Sequence, residues 1–137
     1  MDNCIFCKIV RGEASSMKVF EDKYTIAFMD LAKDADGHIL VIPKKHFKNI
    51  LDCDNDTLKF LMNTVKKVSN HLVENCGYTG VDLLNANNES AGQTIQHFHI
   101  HIIPRKDGDG LGGSGEWPKF IGAKYEIEYM QKKLIIK

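Results

Sequence analysis

HFHIHIIP, residues 97–104, alternates histidine with apolar side chains over its first six positions and then ends in Ile-Pro. In an extended chain residues two apart share a face, so His97, His99 and His101 line one side and Phe98, Ile100 and Ile102 the other. The apolar side predicts a strand seated on a core. The other side predicts chemistry, because a merely solvated face calls for polar residues of any kind, whereas histidine is chiefly selected for titration, nucleophilicity or ligation. Same-face neighbours on a strand stand roughly 7 Å apart and the outer pair roughly 13 Å. One ion with bonds of about 2.0–2.1 Å does not span all three, so at least one histidine has a different task.

Working outward, the segments 18–22, 24–30 and 38–44 are β-branched or aromatic and are separated by turn formers such as Asp36-Gly37, which predicts an antiparallel meander. From Asp54 the period becomes helical. Leu58, Leu61, Met62, Val65, Val68, Leu72 and Val73 recur at that spacing, with Asp54 or Asp56 as N-cap and Gly77 as the stop. Lys45 to Leu51 reads as a shorter helix. After Gly80 two strands follow, VDLLNA and HFHIHIIP, joined by the polar loop NNESAGQT. Five strands with helices gathered to one side make an α+β domain built on a five-stranded antiparallel sheet, with one long and one short helix. Residues 106–115 hold five glycines, which predicts a mobile stretch or a loop over a site. The pattern of YEIEYMQKKLIIK fits either a helix or an edge strand. The domain core is therefore assigned to residues 1–105, and 106–137 to a Gly-rich loop and C-terminal extension of the same domain.

Composition limits the function. With 137 residues the chain suits one domain, and 18 basic side chains balance 18 acidic ones. A net charge of zero gives no electrostatic reason to expect nucleic acid or an anionic membrane as partner. The N-terminus lacks the basic and apolar regions of an export signal, so the expected location is cytoplasmic. There Cys4, Cys7, Cys53 and Cys76 read as thiols or metal ligands rather than disulfides.

The run from His97 to Ile103, preceded by AGQT, resembles the signature of the histidine-triad (HIT) hydrolases and transferases. IFCKIVRGE, VFEDKYTIAFMD and GHILVIPKKH extend the likeness over most of residues 4–105; the chain is similar to the Hint-like bacterial branch, and ESAGQT also resembles the fragile-histidine-triad branch. The resemblance implies a HIT-like fold and an enzyme acting on the α-phosphate of purine nucleoside phosphoramidates or adenylates. It further implies that His99 is the nucleophile of a covalent nucleotidyl-histidine intermediate, oriented by the carbonyl of His97, and that His101 and His38 assist at the phosphate. Asp30 would accept the ribose hydroxyls, Phe6, Ile9, Phe28 and Leu31 would surround the purine, and Gln93 and Thr94 would hold phosphate oxygens. Where the Hint-like pattern has Asn or Gln seven residues before Gln93, this chain has Ala86, leaving Asn87 or Asn85 to substitute. The family also implies a homodimer joined edge to edge. Trp117 lies where a C-terminal tail could reach the neighbouring subunit's site.

Cys4-x-x-Cys7 has the spacing of half a zinc site. Several bacterial relatives complete it with counterparts of His46 and His97, so the resemblance implies a closed, structural zinc held by Cys4, Cys7, His46 and His97. That division assigns His97 to a metal and leaves His99 and His101 for phosphate. Three rival functions stand beside the phosphoramidase: a dinucleoside polyphosphate hydrolase, a non-catalytic nucleotide-binding or scaffold protein, and a zinc-dependent regulator whose histidines are all structural.

Overall fold

Asp22 makes the first hairpin: its Oδ1 accepts hydrogen bonds from Tyr24 N, Thr25 N and Thr25 Oγ1 at 2.8–3.0 Å. The computed structural model describes residues 3–112 and 117–137. In chain order the elements are α1 (Ile5–Val10), β1 (Lys18–Glu21), β2 (Thr25–Met29), β3 (Ile39–Pro43), α2 (Asn55–Asn75), β4 (Gly80–Leu84), β5 (Ile100–Arg105) and α3 (Ile127–Leu134). The strands form one antiparallel sheet in the order β1-β2-β3-β5-β4. The expected α+β class and five-stranded sheet are therefore observed.

The helices differ from expectation. Asp54 is the N-cap of α2, accepting from Thr57 N at 2.7 Å, and Leu61, Val65, Val68 and Leu72 bury one stripe against the sheet. Each such side chain contributes roughly 1.5–3 kcal/mol by leaving water. Met62 and Val73 lie one residue off that stripe and remain 41% exposed. The short helix is not at 45–51. There the Asp52 carboxylate captures Lys48 N and Asn49 N, both at 3.0 Å, and Asn49 Oδ1 captures Leu51 N. Local side-chain acceptors outcompete the helical ladder, and the segment is a loop. Two short helices stand elsewhere: α1, capped by Cys4 Sγ accepting from Cys7 N, and α3, which settles the C-terminal ambiguity in favour of helix.

Nor do the helices share one side. Every residue of β2 and β3 is buried. Ala27, Met29, Ile39, Val41, Ile100 and Ile102 pack with α2 and α3, while Ile26, Phe28, Leu40 and Ile42 pack with Phe6 and Ile9 of α1. Sheet pairing puts His101 opposite Leu40 and Ile100 opposite Val41, so the histidine face is the α1 face. Gly37 has φ +79° and no room for a side chain, since a Cβ would lie 2.9 Å from Pro104, and it leads the chain through His38 into β3. Arg105 pairs with Asp82 and Asp109 and donates to Gly112 O, anchoring the described part of the Gly-rich stretch. The remainder of that stretch, residues 113–115, lies outside the described residues.

Candidate active site

The histidine run begins before its strand. β5 starts at Ile100, and the preceding residues are held by Phe98, whose N–H donates to Phe47 O at 2.8 Å and whose ring is buried in the main core. From this anchored backbone the three rings enter three different surroundings.

His97 is fully buried. Its Nε2–H donates to Pro43 O at 2.8 Å, which turns Nδ1 towards Cys4 Sγ at 3.3 Å, Cys7 Sγ at 3.6 Å and His46 Nδ1 at 3.2 Å. Cys7 Sγ lies 3.2 Å from His46 Nδ1. Burial pushes the His97 pKa down to about 4, so its ring is neutral with a lone pair facing the group. Burial and the adjacent Cys4 raise the Cys7 pKa. Two sulfurs and two imidazole nitrogens therefore converge, one imidazole locked by a carbonyl behind it, as metal-ligating histidines usually are.

His99 makes the opposite use of its ring. Its Nδ1–H donates to His97 O at 2.7 Å, and the neutral tautomer leaves Nε2 as a lone-pair atom. Phe6 packs edge-on against it with centroids 5.5 Å apart. No metal donor holds this ring among the described residues.

His101 meets another histidine. Its Nδ1 lies 2.8 Å from His38 Nε2, and His38 Nδ1 lies 2.9 Å from Asp34 Oδ1. With the carboxylate accepting the Nδ1–H of His38, the neutral His38 accepts at Nε2 from the Nδ1–H of His101. Burial, then the neighbouring His38 and His99, lower the His101 pKa to about 4. Asp30 completes the group. Its Oδ1 accepts from Ala32 N at 2.8 Å, and its Oδ2 lies 3.4 Å from His38 Nε2.

Two cavities meet at these residues. One, of about 380 Å³, is lined by His99, His101, Asp30 and Thr94 together with Phe6, Ile9, Phe28 and Leu31. All four apolar residues named from the sequence thus border it, and three of them also form the small core under α1. The second, of about 580 Å³, shares Asp30 and His101 and adds Asp34, His38, Asn85, Ala86, Trp117 and Phe120. Trp117 here borders a cavity of its own chain.

Gln93 and Asn87 border neither cavity. The Gln93 amide donates to Lys48 O and Ile95 O and accepts from Asn49 Nδ2 and Asn88 N, all at 2.7–3.0 Å. It braces the loop beneath the site. Asn87 Oδ1 accepts from Ile50 N, while Asn85 Nδ2 donates to His99 O at 2.9 Å. Asp34 is the residue that sequence reasoning missed. Its position four residues before His38, across the Asp36-Gly37 turn, was the available signal.

The HIT domain family model matches residues 11–108. Protein hit of Bacillus subtilis is 42% identical over 112 residues, covering 81% of this chain and 77% of that one. Adenosine 5'-monophosphoramidase HNT1 of Candida albicans is 37% identical over 124 residues, covering 85% of this chain and 78% of that one. The crystal structure of a Zn-bound histidine triad family protein from Mycobacterium smegmatis superposes with a TM-score of 0.84 at 26% identity, covering 97% of this chain and 91% of that one.

Proposed function

The chain belongs to the HIT domain family and is a hydrolase, and from that premise we propose that it cleaves purine nucleoside 5'-phosphoramidates or related adenylates through a nucleotidyl-His99 intermediate. The observation that carries the reading is the 2.7 Å hydrogen bond from His99 Nδ1 to the His97 carbonyl, beside a cavity of nucleoside size. With Nδ1–H committed to that carbonyl, Nε2 is the ring atom left to attack phosphorus. Nε2 bonds to the α-phosphorus as the P–N or P–O bond to the leaving group breaks. His101, with His38 and Asp34 behind it, is the proton donor, because the phosphate anion of a bound substrate favours the charged ring that burial alone disfavours. Water then attacks phosphorus, the bond to His99 breaks, and His101 takes the proton back. Phe6, Ile9, Phe28 and Leu31 enclose the base, and Asp30 accepts from the ribose.

The second cavity separates the rival leaving groups. Among its described lining residues there is no Lys or Arg, and two carboxylates, Asp30 and Asp34, face it. A second nucleotide with its extra phosphates would meet like charge there, whereas an amine would not. This favours the phosphoramidate over the dinucleoside polyphosphate.

Cys4, Cys7, His46 and His97 fit one zinc ion, which would lock α1 to the loop after β3 and to the start of the histidine run. Four protein donors leave no open position, so its chemistry is structural. A second copy of the chain would pair along the edge strand β4, where Leu83 is 43% exposed, as isologous dimers do. No helix among the described residues is long and apolar enough to cross a membrane, and the four free thiols suit a reducing compartment.

Turnover of adenosine 5'-phosphoramidate, with mass spectrometry of the quenched protein, tests the reading. A nucleotidyl adduct on the wild-type peptide containing His99 is expected. Hydrolysis at wild-type rate by His99→Asn would refute the mechanism.

A further inference from the structure

The junction of the two cavities carries a capacity that hydrolysis does not need. His38 Nε2, His101 Nδ1 and Asp30 Oδ2 face one another at 2.8, 3.4 and 4.0 Å. Two ligand atoms, each about 2.0–2.1 Å from a tetrahedral ion, stand roughly 3.3 Å apart, so an ion fits once the two imidazoles part by about half an ångström and the carboxylate closes by a similar amount. His38 is 5% exposed and is oriented from behind by Asp34 through Nδ1. That is the arrangement by which an outer carboxylate fixes a ligating histidine.

We propose that Asp30, His38 and His101 form an open cation site that takes one divalent transition-metal ion, and that its occupation switches hydrolysis off. The second half of this statement rests on the hydrolytic reading above, and the first does not. Two imidazoles and one carboxylate select borderline ions such as Zn²⁺, Co²⁺ or Ni²⁺ over Mg²⁺, which requires oxygen donors and gives up its water reluctantly. Three protein donors leave positions for water on the cavity side, in contrast to the closed set around His97.

The proton arithmetic balances. At rest His101 carries its proton on Nδ1, between the two rings. The ion takes the Nδ1 lone pair and the proton moves to Nε2, so the ring stays neutral and no histidine proton is lost. Burial already keeps His101 largely neutral at pH 7, and the ion therefore competes with little protonation. Once bound, it withholds from the substrate the proton donor, the histidine behind it and the ribose carboxylate together.

The test uses protein whose Cys4, Cys7, His46 and His97 set has been filled with zinc, titrated with Co²⁺. One further Co²⁺ per chain is expected, with visible d–d bands but without the near-ultraviolet thiolate charge transfer that cobalt among Cys4 and Cys7 would give. Hydrolysis of adenosine 5'-phosphoramidate should fall at least tenfold in parallel, and Mg²⁺ in hundredfold excess should do neither. Asp34→Asn should weaken cobalt binding about 10–100-fold, as loss of an outer carboxylate does, and His38→Asn should abolish it. Far-UV circular dichroism confirms that each variant is folded. Absence of a second equivalent, a thiolate band, or undiminished binding in His38→Asn would overturn the site. Hydrolysis that continues with cobalt bound would overturn the switch. A protein inactive on every phosphoramidate would sink the hydrolytic reading alone, since the absorbance still decides the site.

Discussion

His97 and His101 are four residues apart in one histidine run, the first in the bend before β5 and the second within it, yet they do opposite things. At His97 the far ring nitrogen meets a backbone carbonyl, and the near one meets two thiols and a second imidazole in a partly buried group at the start of α1. At His101 the near nitrogen meets His38, and beyond it stand Asp34 and Asp30 at a junction open to two cavities. The difference teaches that the role of an imidazole is set by what its second nitrogen touches. A carbonyl fixes one tautomer permanently and suits a structural ligand, whereas another histidine backed by carboxylate allows the proton to move. His99, between them, borrows the carbonyl device from the first end and the open cavity from the second.

The comparison breaks most readily at its centre. His99→Asn should lower the turnover number for adenosine 5'-phosphoramidate by about 10⁴-fold or more, because the covalent route disappears. Its melting temperature should stay near that of the wild type. A loss below tenfold would mean that the central ring is not the nucleophile.

At the open end, Asp34→Asn keeps a hydrogen-bond acceptor beside His38 but removes the charge behind it. The expected drop is on the order of 10²-fold for amine leaving groups of high pKa and much less for leaving groups that need no proton. Stopped-assay rates across a series of such amines check this. An equal drop for all of them would assign Asp34 a structural role only.

At the closed end the effect should be on stability instead. Cys7→Ser in the zinc-loaded protein should lower the melting temperature by about 10 °C, the scale of a few kcal/mol in a domain of this size. The turnover number measured well below the new midpoint should change by less than about tenfold, since a closed four-ligand site does no chemistry. Loss of catalysis equal to that of His99→Asn would erase the division between the two ends.

The smallest effect is in pH. The folded-state pKa of His101 is lowered to about 4, against about 6.5 in the unfolded chain. The unfolded state therefore binds more protons between those values, and stability contributed by the neutral ring is complete above pH 6.5 and is lost as pH falls towards 4. Partial exposure limits this to on the order of 1–2 kcal/mol. Urea unfolding of the wild type and of His101→Asn at pH 7 and pH 5 should show the variant to be the less acid-sensitive. Matching slopes would show that this ring does not titrate as its burial implies.

Much of the fold was legible because its signals are periodic. β-branched runs and the 3.6-residue repeat of α2 need no partner to be seen, and the histidine alternation places Phe98, Ile100 and Ile102 in the core. The loop at 45–51 was not legible. Its backbone donors are captured by Asp52 and Asn49, and Asn49 is in turn held by Asn88 and Gln93 some 40 residues away. The Hint-like likeness drew attention to Gln93 as a phosphate contact, but only the packed loop shows its amide engaged on both sides by protein. Asp34 escaped notice for a simpler reason: an aspartate in a turn is common, and its reach to His38 depends on how Gly37 brings the chain into β3.

By itself the sequence determined that a sheet carries alternating histidines, that cysteines and histidines suited to a metal are present, and that no charge excess calls for nucleic acid. These follow from spacing and composition, which are properties of neighbours along the chain. Only the tertiary structure decided that the run divides between a closed donor set and an open junction, since His46, Pro43 and His38 lie 51 to 63 residues from their partners in the run. Hydrogen bonds and burial, which settle where a proton sits on a ring, act through space, and no local pattern encodes them.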